Sequence, residues 1–288
     1  MTPTRRKRRL RNQGESVRVL RLEPTRGWGS LKLRELWDYR DLIYFLLWRE
    51  IKGRYKQMAL GPLWFVLQPL FSIVLNTLIF GVLAQLPSDG LPYPLFNYTG
   101  LLPWQFFANA VTKSAGSLVN NQNLITKVYF PRLVMPIVGA LSGLLDFAIA
   151  FGLLLVVMLY YGFVPKVTVL VVPLFLLLSA LTALGVGLWL AALQARFRDV
   201  GFMLSYMLQA WMYATPVVYA TSVIPSRWQF VYQLNPMTIV VEGFRWALLD
   251  KGTINWIATV ISVLGVLGML VTGAFVFRRT ERTIVDVV

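Results

Sequence analysis

Few side chains in this sequence can do chemistry, and their types narrow what that chemistry is. Cysteine and histidine are both absent, which removes disulfides, thiolate and imidazole metal ligands, cysteine nucleophiles and any triad with histidine as base. No Gly-x-x-x-x-Gly-Lys-Ser/Thr run occurs, so the backbone cradle and lysine that hold nucleotide phosphates are missing. The acids in the polar breaks, Asp89, Asp199, Glu242 and Asp250, are mostly isolated. A membrane enzyme needs paired carboxylates or a metal-binding acidic cluster near one face. What is left suits holding or passing a molecule rather than converting it.

Asp146 is the one acid well inside an apolar run, where a charged Asp costs about 2.5–3.5 kcal/mol on insertion scales. It must face a partner or a wet cavity. It is therefore part of a conduit or proton relay, or else it is protonated or hydrogen-bonded to a neighbouring helix; no second intramembrane acid continues a relay. Gly139 and Gly143 just before it permit close helix approach, within one copy or between two. Glu242 and Arg245 stand three apart and are neighbours on a helix. They form a local ion pair that lets a short helix tolerate lipid, or part of an outer gate. Arg196, Arg198 and Asp199 share a short turn, as a topology-setting cluster or a contact for a partner or lipid phosphate.

The elements that position these groups follow from composition. Hydrophobic residues make up 57% of the 288 positions and charged ones 14%, with a mean hydropathy of +0.60, whereas soluble domains carry about a quarter charged residues. The sequence predicts an all-α integral membrane protein with six transmembrane helices at 62–86, 100–119, 134–161, 167–193, 200–219 and 254–277. The second is the weakest, interrupted by Asn109, Thr112 and Lys113. More than half of the 28 Lys and Arg precede residue 62, and most others fall in the breaks after spans two and four and in the tail. The positive-inside rule then puts both termini in the cytoplasm, and a basic segment beside anionic lipid explains the +15 charge without nucleic acid. Residues 1–30 read as a basic disordered tail and hold no apolar run long enough for a cleavable signal peptide. Residues 31–60 read as an amphipathic interface helix over Leu33–Lys56, and 61–288 as the six-span domain. The apolar piece 237–249 is too short to cross a bilayer and reads as a re-entrant outer hairpin before the last span.

Trp48-Arg49-Glu50-Ile51-Lys52-Gly53-Arg54-Tyr55-Lys56-Gln57, with Leu60-Gly61-Pro62-Leu63-Trp64 and Gln68-Pro69-Leu70, resembles the entry to the first span of type-two ABC permeases. These permeases export O-antigen, capsular polysaccharide and teichoic acid. Further matches follow in order: Leu102-Pro103-Trp104-Gln105-Phe106-Phe107, residues 123–132, Arg196-Phe197-Arg198-Asp199, and Asn235-Pro236-Met237-Thr238 with Glu242 and Arg245. The resemblance implies a bacterial inner-membrane permease of two identical protomers, each docked on a cytoplasmic ABC ATPase subunit that carries ATP and Mg. This chain would hold no cofactor or metal of its own. The implied cargo is a glycan on a polyprenyl pyrophosphate lipid. A permease for drugs or smaller lipids and a membrane enzyme acting on polyprenyl-linked sugars are the competing readings.

Aromatic rings offer flat apolar faces to sugars, so Trp64, Phe71, Trp104, Phe106, Phe107, Tyr206, Trp211, Tyr213 and Tyr219 are candidates to line a glycan path. Packing or an interfacial belt is the plainer role for each. The implied ATPase contact is the break 120–132, where Asn120 to Asn123 offer caps and Leu124 to Phe130 a short helix. Its Ile125, Lys127, Val128, Tyr129, Phe130 and Arg132 are the coupling candidates. The apolar ones are exposed to the ATPase or buried against the amino-terminal helix.

Overall fold

The protein is described by a computed structural model covering residues 33–56, 63–252 and 254–284. The basic segment 1–30 and the Gly61–Pro62 turn lie outside the described residues. All regular structure among the described residues is helical. Among the described residues the first elements are α1 (Leu33–Asp38) and α2 (Arg40–Lys56), then α3 (Trp64–Asn76), which continues as a π-helical stretch over Thr77–Leu83. Next come α4 (Tyr93–Ala115), the short α5 (Ser117–Asn120) and α6 (Gln122–Ile125), α7 (Val134–Leu141) and α8 (Leu144–Tyr160). A 3-10 turn over Val167–Val171 leads into α9 (Val172–Arg196), and α10 (Val200–Tyr213), α11 (Ser226–Gln233), α12 (Pro236–Leu249) and α13 (Trp256–Ile284) complete the chain.

Among the described residues, four helical segments are long and apolar enough to cross a membrane: Val66–Leu83, Val134–Tyr160, Val167–Arg196 and Trp256–Glu281. They coincide with the first, third, fourth and sixth predicted spans. The other two predicted spans differ from their helices for local reasons. The second begins at Tyr93 rather than Gly100, because Pro92 and Pro94 fit a helix start, where a missing N–H costs nothing. The fifth stops at Tyr213, so α10 spans only about 21 Å. Pro216 lies just beyond and disfavours the helical conformation at the residue before it.

α4 is the hub, packed upon by α3, α7, α8, α9, α10 and α12. Glycines permit close helix contacts at α4 and elsewhere in the bundle. A Cβ on Gly139 of α7 would stand 2.8 Å from the Lys113 backbone of α4, and one on Gly273 of α13 would stand 3.0 Å from the Gly185 carbonyl of α9. The Gly139 approach is thus made within the chain, whereas a Cβ on Gly143 would meet only the Phe106 ring at an ordinary 3.6 Å. The third predicted span is not one continuous helix. It breaks at Ser142–Gly143 into α7 and α8, where glycine is a poor helix former and the Ser142 hydroxyl bonds back to Gly139 O at 3.0 Å.

α2 packs on α7, burying Leu46 with Phe130, Val134, Met135 and Val138. Trp37, Tyr44, Phe45 and Trp48 are exposed. The apolar groups of this segment therefore lie on more than one side, unlike a simple one-faced amphipath. Side-chain bonds sort the connecting segments into two sets. Arg49 with Asn121 (3.2 Å) and Arg132 with Glu281 O (2.8 Å) gather one set. Asp89 with Ser222 (2.7 Å), Lys166 with Asp250 (2.6 Å) and Asn255 with Gln233 (3.0 Å) gather the other.

Candidate functional site

The most heavily engineered local structure surrounds Arg245. Beyond Tyr213 the chain runs irregularly to Ala220, exposing carbonyls that a helix would have used. Arg245 of α12, only 2% exposed, donates from Nη1 to Pro216 O and from Nη2 to Val217 O, both at 2.7 Å. Nη1 also meets Glu242 Oε1 at 3.0 Å, and the guanidinium lies 3.8 Å from the Phe96 ring centroid. Tyr93 donates its hydroxyl to the next carbonyl, Val218 O, at 2.7 Å. Gly100 of α4 makes room, since a Cβ there would stand 2.9 Å from both Arg245 Nη2 and Val217 O. A planar, permanently charged fork is the side chain that can satisfy two carbonyls and a carboxylate together.

Both ends of α12 are tied down. At its start Asn235 caps the helix, accepting from Met237 N (3.1 Å) and Trp211 Nε1 (3.1 Å) while donating to Thr215 Oγ1 (2.9 Å). At its end Asp250 adopts the left-handed conformation, φ 56°, and accepts from Lys166 Nζ. That hydrogen bond and the lysine charge hold the exposed Asp250 carboxyl below the usual carboxylate range. In between, Thr168 Oγ1 donates to Ala247 O at 2.7 Å.

A second arginine closes the other break. Arg54 of α2 pairs with Asp146 through Nη1 and donates from Nη2 to Ser142 O at 2.6 Å. Lys113 Nζ adds a bond to Ser142 Oγ at 3.2 Å. Asp146 thus has the partner its position demands. Sequence reasoning placed Arg54 in the interface helix and in the permease-like run before the first span, and gave it no partner. The available signal was that a lone intramembrane acid needs a cation, and α2 carries several just before the first span.

The candidate aromatics divide. Trp104, Phe106 and Phe107 are buried; Phe107 stands 5.1 Å from the Trp211 ring and Phe106 5.7 Å from that of Phe147. These are packing contacts. Tyr219 is half-buried and donates to Tyr213 O. Trp64, Phe71, Tyr206 and Tyr213 are exposed, Phe71 and Tyr206 to about three quarters (74% and 76%). The coupling candidates divide too. The short helix is α6, ending at Ile125 instead of Phe130, and Asn121 bonds Ser117 O and Arg49 rather than capping it. Ile125 and Phe130 tuck against α1 and α2, Arg132 bonds Glu281, and Lys127, Val128 and Tyr129 are exposed.

Comparison with known proteins gives this arrangement a context. Residues 41–249 match the family described as ABC-2 type transporter. An O-antigen export system permease protein, RfbA, from Myxococcus xanthus is 34% identical over 216 residues, covering 74% of this chain and 82% of its own. A Klebsiella pneumoniae protein of the same description is 30% identical over 258 residues, covering 88% and 97%. The polysialic acid transport protein KpsM of Escherichia coli is 24% identical over 241 residues, covering 82% and 92%.

The Arg54–Asp146 pair makes a checkable claim. In a double-mutant cycle with Arg54→Ala and Asp146→Ala, thermal unfolding of the purified protein should give a coupling of about 0.5–3 kcal/mol, as for contacting residues. Purely additive losses would mean that the two side chains do not meet.

Proposed function

Because the chain belongs to the ABC-2 type transporter family, we propose that it is the membrane-spanning permease of an exporter of lipid-linked, O-antigen-like polysaccharide across the bacterial inner membrane. Similarity to O-antigen export permeases over 88% of the chain supports a glycan cargo. One observation in the structure carries the reading furthest, the outward faces of α3 and α10. Only 11% of the Val66–Leu83 window is buried, and α10 buries little more than Leu204 and Leu208. On these faces exposed rings alternate with exposed amides: Trp64, Gln68 and Phe71 on α3, Tyr206, Gln209 and Tyr213 on α10. Lipid would leave the amides unpaired at a cost. A wet path closed by a second copy of the chain would give them water and sugar hydroxyls.

In this reading α3 with its π stretch, α4, α7–α8, α9, α10 and α13 are the six spans, and α12 is a re-entrant helix braced by Arg245. The ends gathered by Arg49, Arg54 and Arg132 face the cytoplasm, in keeping with the positive-inside rule. There α1 and α2 lie at the interface with Trp37, Tyr44 and Trp48 toward lipid headgroups. Two ATPase subunits, binding ATP and Mg, dock on Lys127, Val128 and Tyr129. The buried Phe130 fixes that segment to α2, so motion of the ATPase reaches α7 and α4 through it.

Deleting the gene should leave the lipid-linked glycan accumulating on the cytoplasmic side, read by mass spectrometry of extracted lipids; no accumulation of any glycan lipid would refute the export reading. The docking assignment separates two neighbours. Tyr129→Ala should leave the fold intact and weaken ATPase binding by about 2 kcal/mol or more, as loss of an aromatic anchor does. Phe130→Ala should instead cost about 3–5 kcal/mol of stability as a buried truncation. Unchanged ATPase affinity in Tyr129→Ala would move the dock elsewhere.

A further inference from the structure

α11, α12 and the start of α13 enclose a cleft of about 350 Å³, within the roughly 300–1,000 Å³ of small-ligand sites. Its lining mixes apolar side chains such as Ile224, Ile239 and Ile254 with the polar Gln229, Gln233, Glu242, Asn255 and Asp89. A groove of about 460 Å³ adjoins it, sharing Ile224 and Tyr232 and adding Tyr219 and Trp228. A cleft of mixed lining therefore opens beside an aromatic shelf, with Tyr232 on the border of both.

Thr238 is the polar group of the cleft wall whose pairing is unexplained. It lines the cavity and is 2% exposed, yet its Oγ1 is buried with no hydrogen-bond partner among the described residues. Other threonines buried as whole residues solve that problem locally, although Thr77 Oγ1 in the π stretch is likewise buried without a partner among the described residues. Thr99, Thr182 and Thr215 each donate to the carbonyl four residues back. Thr238 lies in the first turn of α12 and makes no such bond. A buried hydroxyl left unpaired is costly, and such groups call for an explanation.

The lining also says what kind of molecule fits. No lysine or arginine lines the cleft, and Asp89 would repel a phosphate or an acidic sugar, while the Glu242 charge is already matched by Arg245. No group of three or more metal-binding side chains occurs among the described residues, which disfavours a metal ion. Amides, hydroxyls and carboxylates that accept from and donate to neutral hydroxyls, next to rings that stack on C–H faces, suit a sugar. We propose that the cleft and its aromatic groove form a binding site for neutral sugar residues of the cargo, at the end of the bundle opposite the Arg54 cluster. The inference rests on the export reading; the site would grip the glycan as it leaves the path.

The test is photo-crosslinking in cells that export glycan, with p-benzoylphenylalanine placed singly at Val223, exposed in the groove, or at Tyr206 on α10. The full-length permease is purified after illumination and stained for periodate-oxidisable sugar. Adducts at both positions are expected. Combining the Val223 probe with Thr238→Val should lower its adduct by about two- to tenfold, the worth of one neutral hydrogen bond, with the unfolding temperature unchanged or raised. Trp228→Ala should lower it as well. Adducts at Tyr206 with none at Val223 overturn the inference and leave export standing, and a Val223 adduct indifferent to Thr238→Val overturns it too. No adduct at either position, with surface glycan unaffected by gene deletion, removes the export reading and this inference with it.

Discussion

In a hydrocarbon solvent a broken helix leaves carbonyls that water cannot reach, and each must find a donor inside the protein. Among the described residues two such breaks stand out, and an arginine closes each. Arg245 takes Pro216 O and Val217 O where α10 ends, and Arg54 takes Ser142 O between α7 and α8. Each arginine is balanced by a nearby acid, Glu242 or Asp146, so the charge is paired as well as bonded. A hydroxyl would satisfy one carbonyl; the guanidinium fork satisfies a carbonyl and a carboxylate together and stays charged.

Much of the surrounding packing serves these two closures. Gly100 exists as a gap in α4 through which the Arg245 fork reaches the irregular chain. Asn235 ties the start of α12 to Trp211 and Thr215, so the helix bearing Arg245 cannot slide relative to α10. At the other break α2 is held by Leu46 against α7, which brings Arg54 to Ser142. The consequence for transport is mechanical. Arg245 joins α12 to the segment that follows α10, and Arg54 joins α2 to the break between α7 and α8. Packed elements with discrete contacts of this kind pass small displacements on as rigid-body shifts.

The apolar runs were legible in the sequence because length and hydropathy alone set them, and four of the six predicted segments emerge as long apolar helical segments, the third of them broken at Ser142–Gly143. The Glu242–Arg245 pair was legible because it is local. Its targets were not: they lie 28 and 29 residues away in a stretch read as helix. Asp146 announced that it needed a partner but not which one, since Arg54 is 92 residues distant. The break at Ser142–Gly143 hid inside a continuous apolar run, because a lone glycine is often tolerated in a helix. Tyr129 and Phe130 are adjacent aromatics with opposite fates, 75% and 5% exposed, and that choice depends on where α2 lies. Trp104, Phe106 and Phe107 could not be told from path-lining rings until their neighbours on α8 and α10 were known.

The claim that arginine replaces missing helix bonds is tested most directly by hydrogen–deuterium exchange on the full-length permease in nanodiscs, comparing the wild type with Arg245→Met. Loss of two charge-assisted bonds should raise exchange in the segment 214–220 by about tenfold or more, with α9 and α13 unchanged. Equal protection of that segment in both proteins would contradict the account, because the irregular backbone would then be held by something other than Arg245.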